Sequence, residues 1–323
     1  MHNTRRTASI RASLALAAAL GLAACGTTVK TGNTGKTGTT STTAKSAAAL
    51  PGKGKPPIVM GDKNFAEEYI LGDLYTQALQ AKGYTVTLKS DIGSSEIISK
   101  ALLSGKIQMY PEYTGVIYQT LAGHSTNPSS AAQTYSGSQT YENSNGYTIL
   151  KATPFQDADR VAVTNAFAKK HDLVSTADLK KLGAFTYGGP PENATRYQGV
   201  VGLKQAYGLN KIQFKPIPIG SQYKALDQGK VDTIAVFTTD PQLLSNKYTV
   251  LTDPKDIFGF QQVVPVVKTS LIKAEGPAFA MTLNAVSATL TDKVVQQLDQ
   301  AVEIDQVGAA TVAEKFLQAN GLA

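Results

Sequence analysis

The chain is poor in the residues on which most enzymatic sites are built. Its 323 residues include a single cysteine, three histidines and no tryptophan. One cysteine cannot form a disulfide within the chain, so the fold must rest on its hydrophobic core. The sequence contains no HExxH segment, no GxxxxGK[ST] loop and no Gly-x-Ser-x-Gly elbow, which are the patterns of common zinc, nucleotide and serine-hydrolase sites. We therefore predict a protein that is not an enzyme and that needs no metal or cofactor.

Acidic residues are absent from the first 57 positions, and this changes the meaning of the net charge. The chain carries a formal charge of +7, and eight of its 31 Lys and Arg residues lie in residues 1–57. The rest of the chain holds 23 basic and 24 acidic residues and is nearly neutral. Nucleic-acid binding needs clustered cations that neutralise phosphates, and no such cluster is visible. We therefore expect no nucleic-acid partner.

Long apolar runs are also missing, and the one short run lies in an N-terminal leader. Three arginines precede an apolar stretch over residues 14–22, which is shorter than the roughly 20 residues of a transmembrane helix. A basic start, a short apolar core and small residues are typical of an export signal. Leu22-Ala23-Ala24-Cys25 has the form of a lipobox. Residues 1–24 are thus predicted to be a lipoprotein signal peptide, and Cys25 the lipidated residue that anchors an extracytoplasmic protein to the cell membrane.

The segment after Cys25 has no apolar periodicity. Residues 25–56 consist mainly of Thr, Gly, Ser, Lys, Ala and Pro. Such a composition cannot bury enough apolar surface to offset the entropy lost on ordering. We interpret it as a flexible tether between the anchor and the folded part.

The remaining chain alternates between strand and helix patterns. Apolar residues recur at helical spacing over residues 66–81, and short β-branched runs flank this and later helices, which predicts α/β architecture. Residues 123–147 are polar and are interpreted as a surface excursion with a short helix near Ala131. Glu67 and Glu68 are adjacent and cannot share a helix face, so we interpret them as solvated first-turn charges rather than as a catalytic pair.

Several ordered motifs resemble one family of binding proteins. GDKNFAEEYILG at residues 61–72 is similar to the opening of the osmoprotectant-binding proteins of ABC importers, the OpuAC/ProX-like family. The likeness continues at DIGSS (residues 91–95), is strongest at YPEYTG (residues 110–115), and resumes at residues 202–209 and 237–240. This family binds glycine betaine, choline, carnitine or proline betaine.

The resemblance implies a type II periplasmic-binding-protein fold, in which two α/β lobes are joined by two crossing segments. One lobe would comprise residues 57–157 plus 262–323, and the other residues 158–261. The crossings are expected near residues 153–160 and 258–264, with the ligand between the lobes.

The resemblance also implies which side chains hold the ligand. Aromatic faces attract a quaternary ammonium, and cations or N–H donors receive a carboxylate. Asp159 stands where the family has another cage aromatic, and Val116 where it has a hydroxyl or an acid, so the cage departs from the family pattern at two positions. The expected ligand-binding residues are Tyr113, Phe237 and Phe260 in the cage, Lys63 and Arg196 at the carboxylate, and Asp159 and Thr238 beside them.

These observations predict a lipid-anchored substrate-binding protein of an ABC importer for quaternary ammonium compatible solutes. Its partners would be a small-molecule ligand, an integral permease with its ATPase, and the membrane through the lipid; we expect a monomer. Two alternatives stay open. The altered cage could favour a neutral or aromatic solute, or a cation without a carboxylate, and the same fold could serve a sensory lipoprotein.

Overall fold

The structure, a computed structural model, describes residues 49–323. The predicted signal peptide, Cys25 and the predicted tether up to residue 48 lie outside the described residues. In the part that the structure describes, no helix combines the length and the apolar character needed to cross a bilayer.

Two mixed β-sheets of five strands form the framework. The first has the strand order β2-β1-β3-β10-β4 and the second β7-β6-β8-β5-β9. In the first, β1 is parallel to β2 and β3, and β10 is antiparallel to β3 and β4. In the second, β6 is parallel to β7 and β8, and β5 is antiparallel to β8 and β9. The strands are β1 (Ile58–Gly61), β2 (Val86–Lys89), β3 (Met109–Tyr113), β4 (Tyr147–Ile149), β5 (Asp159–Thr164), β6 (Phe185–Gly189), β7 (Ile212–Pro216), β8 (Thr233–Phe237), β9 (Tyr248–Leu251) and β10 (Val263–Lys268).

The chain passes twice between the two sheets. It leaves the first sheet after β4, enters the second at β5, and returns between β9 and β10. The two passages pair with each other through an antiparallel bridge between Gln156 and Gln262, and the Asp157 N–H donates to the Gln261 carbonyl at 3.1 Å. Each sheet with its helices forms one lobe, called here the first and the second lobe. The two-lobed α/β fold is the one predicted from the sequence.

Helices cover the sheets and form the C-terminal part of the first lobe. The α-helices are α1 (Ala66–Ala81), α2 (Ser95–Leu103), α3 (Thr114–Val116), α4 (Ala131–Ser144), α5 (Asn165–His171), α6 (Gly202–Tyr207), α7 (Gln222–Asp227), α8 (Thr269–Glu275), α9 (Pro277–Thr289), α10 (Asp292–Asp299) and α11 (Ala309–Ala319). Three π-helical turns, Ile117–Leu121, Tyr197–Val201 and Gln300–Ile304, extend or precede α-helices, and 3₁₀ turns span Thr176–Leu182, Pro191–Ala194 and Pro241–Ser245.

Helix α1 holds the first lobe together and also faces the cleft between the lobes. It packs against α9 and α11, and Leu74, Ala78, Leu283 and Leu317 are fully buried in the shared core. Burying one leucine side chain contributes roughly 1.5–3 kcal/mol. The amino-terminal end of α1, which follows β1 after a short loop, is thereby held in place where its first turn meets the ligand cleft.

The polar segment over residues 123–147 contains more structure than its sequence predicts. Helix α4 runs for 14 residues instead of the short helix expected near Ala131. The side chain of Ser130 caps it by accepting from the Gln133 N–H, and its buried face is made of Thr134, Ser138 and Glu142. These positions are four residues apart, so the helical period is present but is carried by polar side chains, which an apolar-periodicity argument overlooks.

The segment over residues 197–207 is not one regular helix. Gly199 has the non-helical angles φ −124° and ψ −134°, and it kinks the π-helical turn at Tyr197–Val201, which precedes the regular helix α6. A Cβ at Gly199 would lie 2.2 Å from the Asn193 carbonyl oxygen. The close approach of these two backbones explains both the glycine and the break, and it brings the loop that carries Arg196 to the cleft.

Candidate ligand-binding site

A cavity lies between the two lobes. It is bordered by loops that follow strands β1, β6 and β7, by the last residues of β3 and β8, by the amino-terminal end of α2, and by the first crossing segment. Clefts at the carboxyl ends of strands are the usual ligand sites of open α/β sheets. The lining residues are Lys63, Asn64, Phe65, Ser94, Ser95, Tyr113, Val116, Asp157, Asp159, Pro190, Glu192, Asn193, Arg196, Ile219, Phe237 and Gln261.

Three aromatic rings stand nearly parallel at this cavity. The Phe65 ring lies 6.4 Å from the Tyr113 ring at 17° and 6.4 Å from the Phe237 ring at 7°, measured between centroids and planes. Tyr113 and Phe237 are cage residues expected from the resemblance. Phe65 was not predicted, although it belongs to the GDKNF motif. The arrangement presents ring faces, which attract cations.

Lys63 lines the cavity, but its charge is already compensated by the protein. Its side chain is nearly inaccessible, and its Nζ lies 2.5 Å from Glu112 and 3.2 Å from Glu68. Burial raises the pKa of Glu68 to about 8, although Lys63 acts in the opposite direction. The same ammonium lies 4.1 Å from the centroid of the Tyr113 ring. The residue expected to bind a ligand carboxylate therefore contacts two carboxylates of its own chain.

Glu67 and Glu68 are buried, so the interpretation of these residues as solvated charges was wrong. Glu67 accepts a hydrogen bond from the Tyr113 hydroxyl at 2.5 Å and another from the Thr239 hydroxyl at 2.8 Å. Burial, reinforced by the charge of Asp157, raises the pKa of Glu67 well above its ordinary value. The first turn of α1 thus lies at the hydroxyl of Tyr113. Glu67 is tolerated there because a donor from each lobe satisfies it, whereas Glu68 is compensated by Lys63.

Arg196 also lines the cavity and makes an ion pair across the cleft. Its Nε and Nη2 donate to the two oxygens of Glu96 at 2.9 and 2.8 Å. Burial acts to raise the pKa of Glu96, but the bonds from Arg196 outweigh it and lower this pKa to about 2. Arg196 belongs to the second lobe and Glu96 to helix α2 of the first. The guanidinium expected at a ligand carboxylate is thus already engaged in a bidentate pair between the lobes.

Two carboxylates of the first crossing line the cavity. Asp159 begins β5 and pairs with Phe237 of β8 in the antiparallel ladder. Burial raises the pKa of Asp159 to about 7 against the attraction of Arg196. Asp157, which sequence analysis did not single out, accepts a hydrogen bond from the Thr239 N–H at 3.2 Å, and burial raises its pKa to about 6. The cavity therefore combines aromatic faces with acidic groups.

Thr238 and Phe260 lie outside the cavity lining. The Thr238 hydroxyl accepts from the Ala158 N–H at 2.9 Å and donates to the Gln156 carbonyl at 3.2 Å, so it ties β8 to the first crossing. The Phe260 carbonyl accepts from the Thr114 hydroxyl at 3.3 Å. Val116 does line the cavity, and its N–H donates to the Gln261 side chain. Thr238 and Phe260 are thus neighbours in sequence of residues that line the cavity, and their hydrogen bonds hold the segments around it in place.

The chain matches a known family over most of its length. Residues 56–319 fit the sequence profile of OpuAC, described as the substrate binding domain of an ABC-type glycine betaine transport system. The chain is 29% identical to a glycine-betaine-binding protein of Pseudomonas aeruginosa, over 81% of this chain and 88% of that protein. It is 25% identical to the glycine betaine-binding protein YehZ of Escherichia coli, over 85% of this chain and 94% of YehZ.

The fold agrees with this match. A crystal structure described as a glycine betaine/carnitine/choline ABC transporter superposes with a TM-score of 0.66 at 22% identity, covering 82% of this chain and 99% of that one. The apo structure of YehZ superposes with a TM-score of 0.60 at 26% identity, covering 83% and 99%. As the sequence predicts, the family is one of solute-binding proteins and not of enzymes. The chain belongs to the family of substrate-binding domains of ABC-type glycine betaine transport systems.

Proposed function

We propose that the protein binds a quaternary ammonium compatible solute, of the glycine betaine, choline and carnitine class, in the cavity between its lobes. The observation that carries the proposal is the set of nearly parallel rings at the cavity, Phe65, Tyr113 and Phe237. A quaternary ammonium has no N–H to donate, so it is held by ring faces and by opposite charge. Each cation–π contact contributes about 0.5–2 kcal/mol.

The proposal is supported by what these rings already contact. The Lys63 ammonium lies 4.1 Å from the centroid of Tyr113 and 5.7 Å from that of Phe65, so both rings already turn a face toward an ammonium group of the chain. The acidic residues Asp157 and Asp159 add to the same attraction. The relatives from Pseudomonas aeruginosa and Escherichia coli are named as glycine betaine-binding proteins.

Isothermal titration calorimetry with glycine betaine, choline, carnitine and proline betaine tests this class directly. We expect at least one of the four to bind with a dissociation constant in the micromolar range. Heats indistinguishable from dilution with all four would refute the quaternary ammonium class and would direct the search to neutral or aromatic solutes.

Tyr113→Ala should weaken binding of that ligand by tenfold or more, because it removes the ring face and the donor to Glu67. Tyr113→Phe is the matched variant: it keeps the face and loses only the hydroxyl, so we expect a smaller loss. Both affinities are measured by the same titration. Near-native affinity of Tyr113→Ala would refute its place in the cage.

We also propose that the protein works at the outer surface of the cytoplasmic membrane, anchored through lipid on Cys25 and delivering its ligand to an ABC permease with its ATPase. The support for the anchor is the lipobox sequence. Metabolic labelling with radioactive palmitate should label the wild-type protein and leave Cys25→Ala unlabelled; equal labelling of both would contradict the anchor. Loss of ligand uptake on deletion of the protein separates transport from a sensory role, which would leave uptake intact.

A further inference from the structure

The charges around the cavity carry information about which solute of the proposed class is bound. This inference rests on the proposed function, since it concerns the same cavity and the same ammonium group. Lys63 and Arg196 are the cationic side chains that line the cavity, and three carboxylates, Asp157, Asp159 and Glu192, line it with them. A zwitterionic ligand needs a group that receives its carboxylate, and a free cation does so most strongly.

Neither cation of the lining is free in this sense. Lys63 is paired with Glu112 at 2.5 Å and with Glu68 at 3.2 Å, and its side chain is 3% exposed. Arg196 makes both of its short bonds to Glu96. Removing one partner of a buried ion pair leaves an uncompensated buried charge, which is strongly unfavourable. A ligand carboxylate would therefore compete with carboxylates that the chain itself supplies.

Asp159 is in the opposite situation. It is 8% exposed, and among residues 49–323 no hydrogen bond or ion pair engages its carboxylate; the bond that the residue makes is accepted by its main-chain carbonyl from Arg160. A buried carboxylate without a partner is costly. A cation placed in the cavity would supply the missing partner.

The position of Asp159 relates it to the aromatic rings. It is the ladder partner of Phe237, and such antiparallel neighbours have Cα atoms roughly 4.5–5.5 Å apart. Both residues line the cavity. A quaternary ammonium that contacts the Phe237 ring is therefore also close to the carboxylate of Asp159, and the two attractions add.

We propose that the cavity selects a quaternary ammonium monocation over a zwitterion, and that Asp159 is the specificity-determining residue that supplies the counter-charge. Asp159 stands where the resemblance implies an aromatic residue, so the cavity has a negative charge there in place of a ring face. The ligand class is a trimethylammonium compound with a neutral polar end, such as an alcohol, instead of a carboxylate.

The test compares three probes of similar size by calorimetry on the purified protein. They are choline, glycine betaine and 3,3-dimethyl-1-butanol, the uncharged analogue of choline. We expect choline to bind at least tenfold more tightly than either of the others. Glycine betaine binding as tightly as choline or more tightly would overturn the inference and leave the proposed function standing. Silence from all three would overturn the inference, and silence from carnitine and proline betaine as well would overturn the proposed function.

The variant Asp159→Asn tests whether Asp159 causes the preference for choline over glycine betaine. It should lower choline affinity at least tenfold and bring the ratio of choline to glycine betaine affinity to within threefold. Asp305→Asn makes the same change at an exposed position outside the lining and should leave both affinities unchanged. An unaltered affinity ratio in Asp159→Asn would overturn the assignment. If that variant does not fold, the wild-type comparison of choline with its uncharged analogue still decides whether charge is selected.

Discussion

At the scale of single residues, the cavity is defined by which charges are paired and which are not. Lys63 and Arg196 reach the cavity as the resemblance implies, yet each is compensated by glutamates of the chain, Glu112 and Glu68 in one case and Glu96 in the other. Asp159 reaches it without such a partner among the described residues. A ligand therefore meets acidic groups of the cavity, and a positively charged ligand favours the ionised form of these groups.

Binding of a cation should consequently depend on pH. The pKa of Asp159 is about 7, raised by burial and further by Asp157 and Glu192, and lowered by Arg196 and Arg160. A bound cation favours the ionised form, so the affinity for choline should rise as pH increases through about 7 and level off above pH 8. Below that range it should fall by up to about tenfold per pH unit, since one proton is linked to binding.

Calorimetry at pH 5.5, 6.5, 7.5 and 8.5 measures this dependence. In Asp159→Asn the rise near pH 7 should disappear, leaving only the weaker contribution of Asp157, whose pKa is about 6. An affinity for choline that is constant across the range would show that no carboxylate of the cavity responds to the ligand.

At the scale of elements, the sequence predicts the helices and strands that have a regular pattern of apolar residues. Helix α1 and the alternation of strands and helices follow from this apolar pattern. The family resemblance predicts five residues that do line the cavity, namely Lys63, Tyr113, Asp159, Arg196 and Phe237. Motifs shared with a family therefore located side chains that lie far apart along the chain.

The features that were missed have polar or tertiary causes. Helix α4 buries polar residues at helical spacing, and the turn before α6 is kinked at Gly199, whose backbone lies against that of Asn193. The sequence places Glu67 in the first turn of a helix, where a solvated charge is expected, but the opposite lobe supplies the Thr239 hydroxyl that binds it. Such contacts depend on the three-dimensional arrangement, so no local pattern reports them.

At the scale of the whole molecule, several contacts join the lobes in this structure. Arg196 pairs with Glu96, Thr239 donates to Glu67 at 2.8 Å, and the Gln242 amide donates to Glu303 at 2.7 Å. Each of these bonds joins a group of one lobe to a group of the other. Their free energy therefore contributes to the closed form that encloses the ligand.

The pair between Arg196 and Glu96 should be coupled to ligand affinity. We expect Arg196→Ala and Glu96→Ala each to weaken choline binding several-fold, and the double variant to be little weaker than either, because the pair is already lost in each single variant. The coupling in this double-mutant cycle should be about 1 kcal/mol, within the range found for contacting residues. Calorimetry gives the affinities, and small-angle X-ray scattering follows the opening of the lobes.

The exposed pair between Lys181 and Asp172 is the control, since the side chain of Asp172 is 94% exposed and neither residue lines the cavity. Lys181→Ala should leave choline affinity unchanged. Strictly additive losses in the cycle at Arg196 and Glu96 would mean that the pair does not act as a unit in closure.

The pairing of the two crossings has a mechanical consequence. Gln156 and Gln262 form a bridge, and the Asp157 N–H bonds to the Gln261 carbonyl, so the lobes are connected by a short two-stranded ribbon. Such a ribbon bends easily about an axis that lies in its plane and runs across its two strands. Sliding one strand along the other would instead break the bonds between them. Bending at the ribbon is therefore easier than sliding of one lobe along the other, which favours a hinged opening and closing of the cleft.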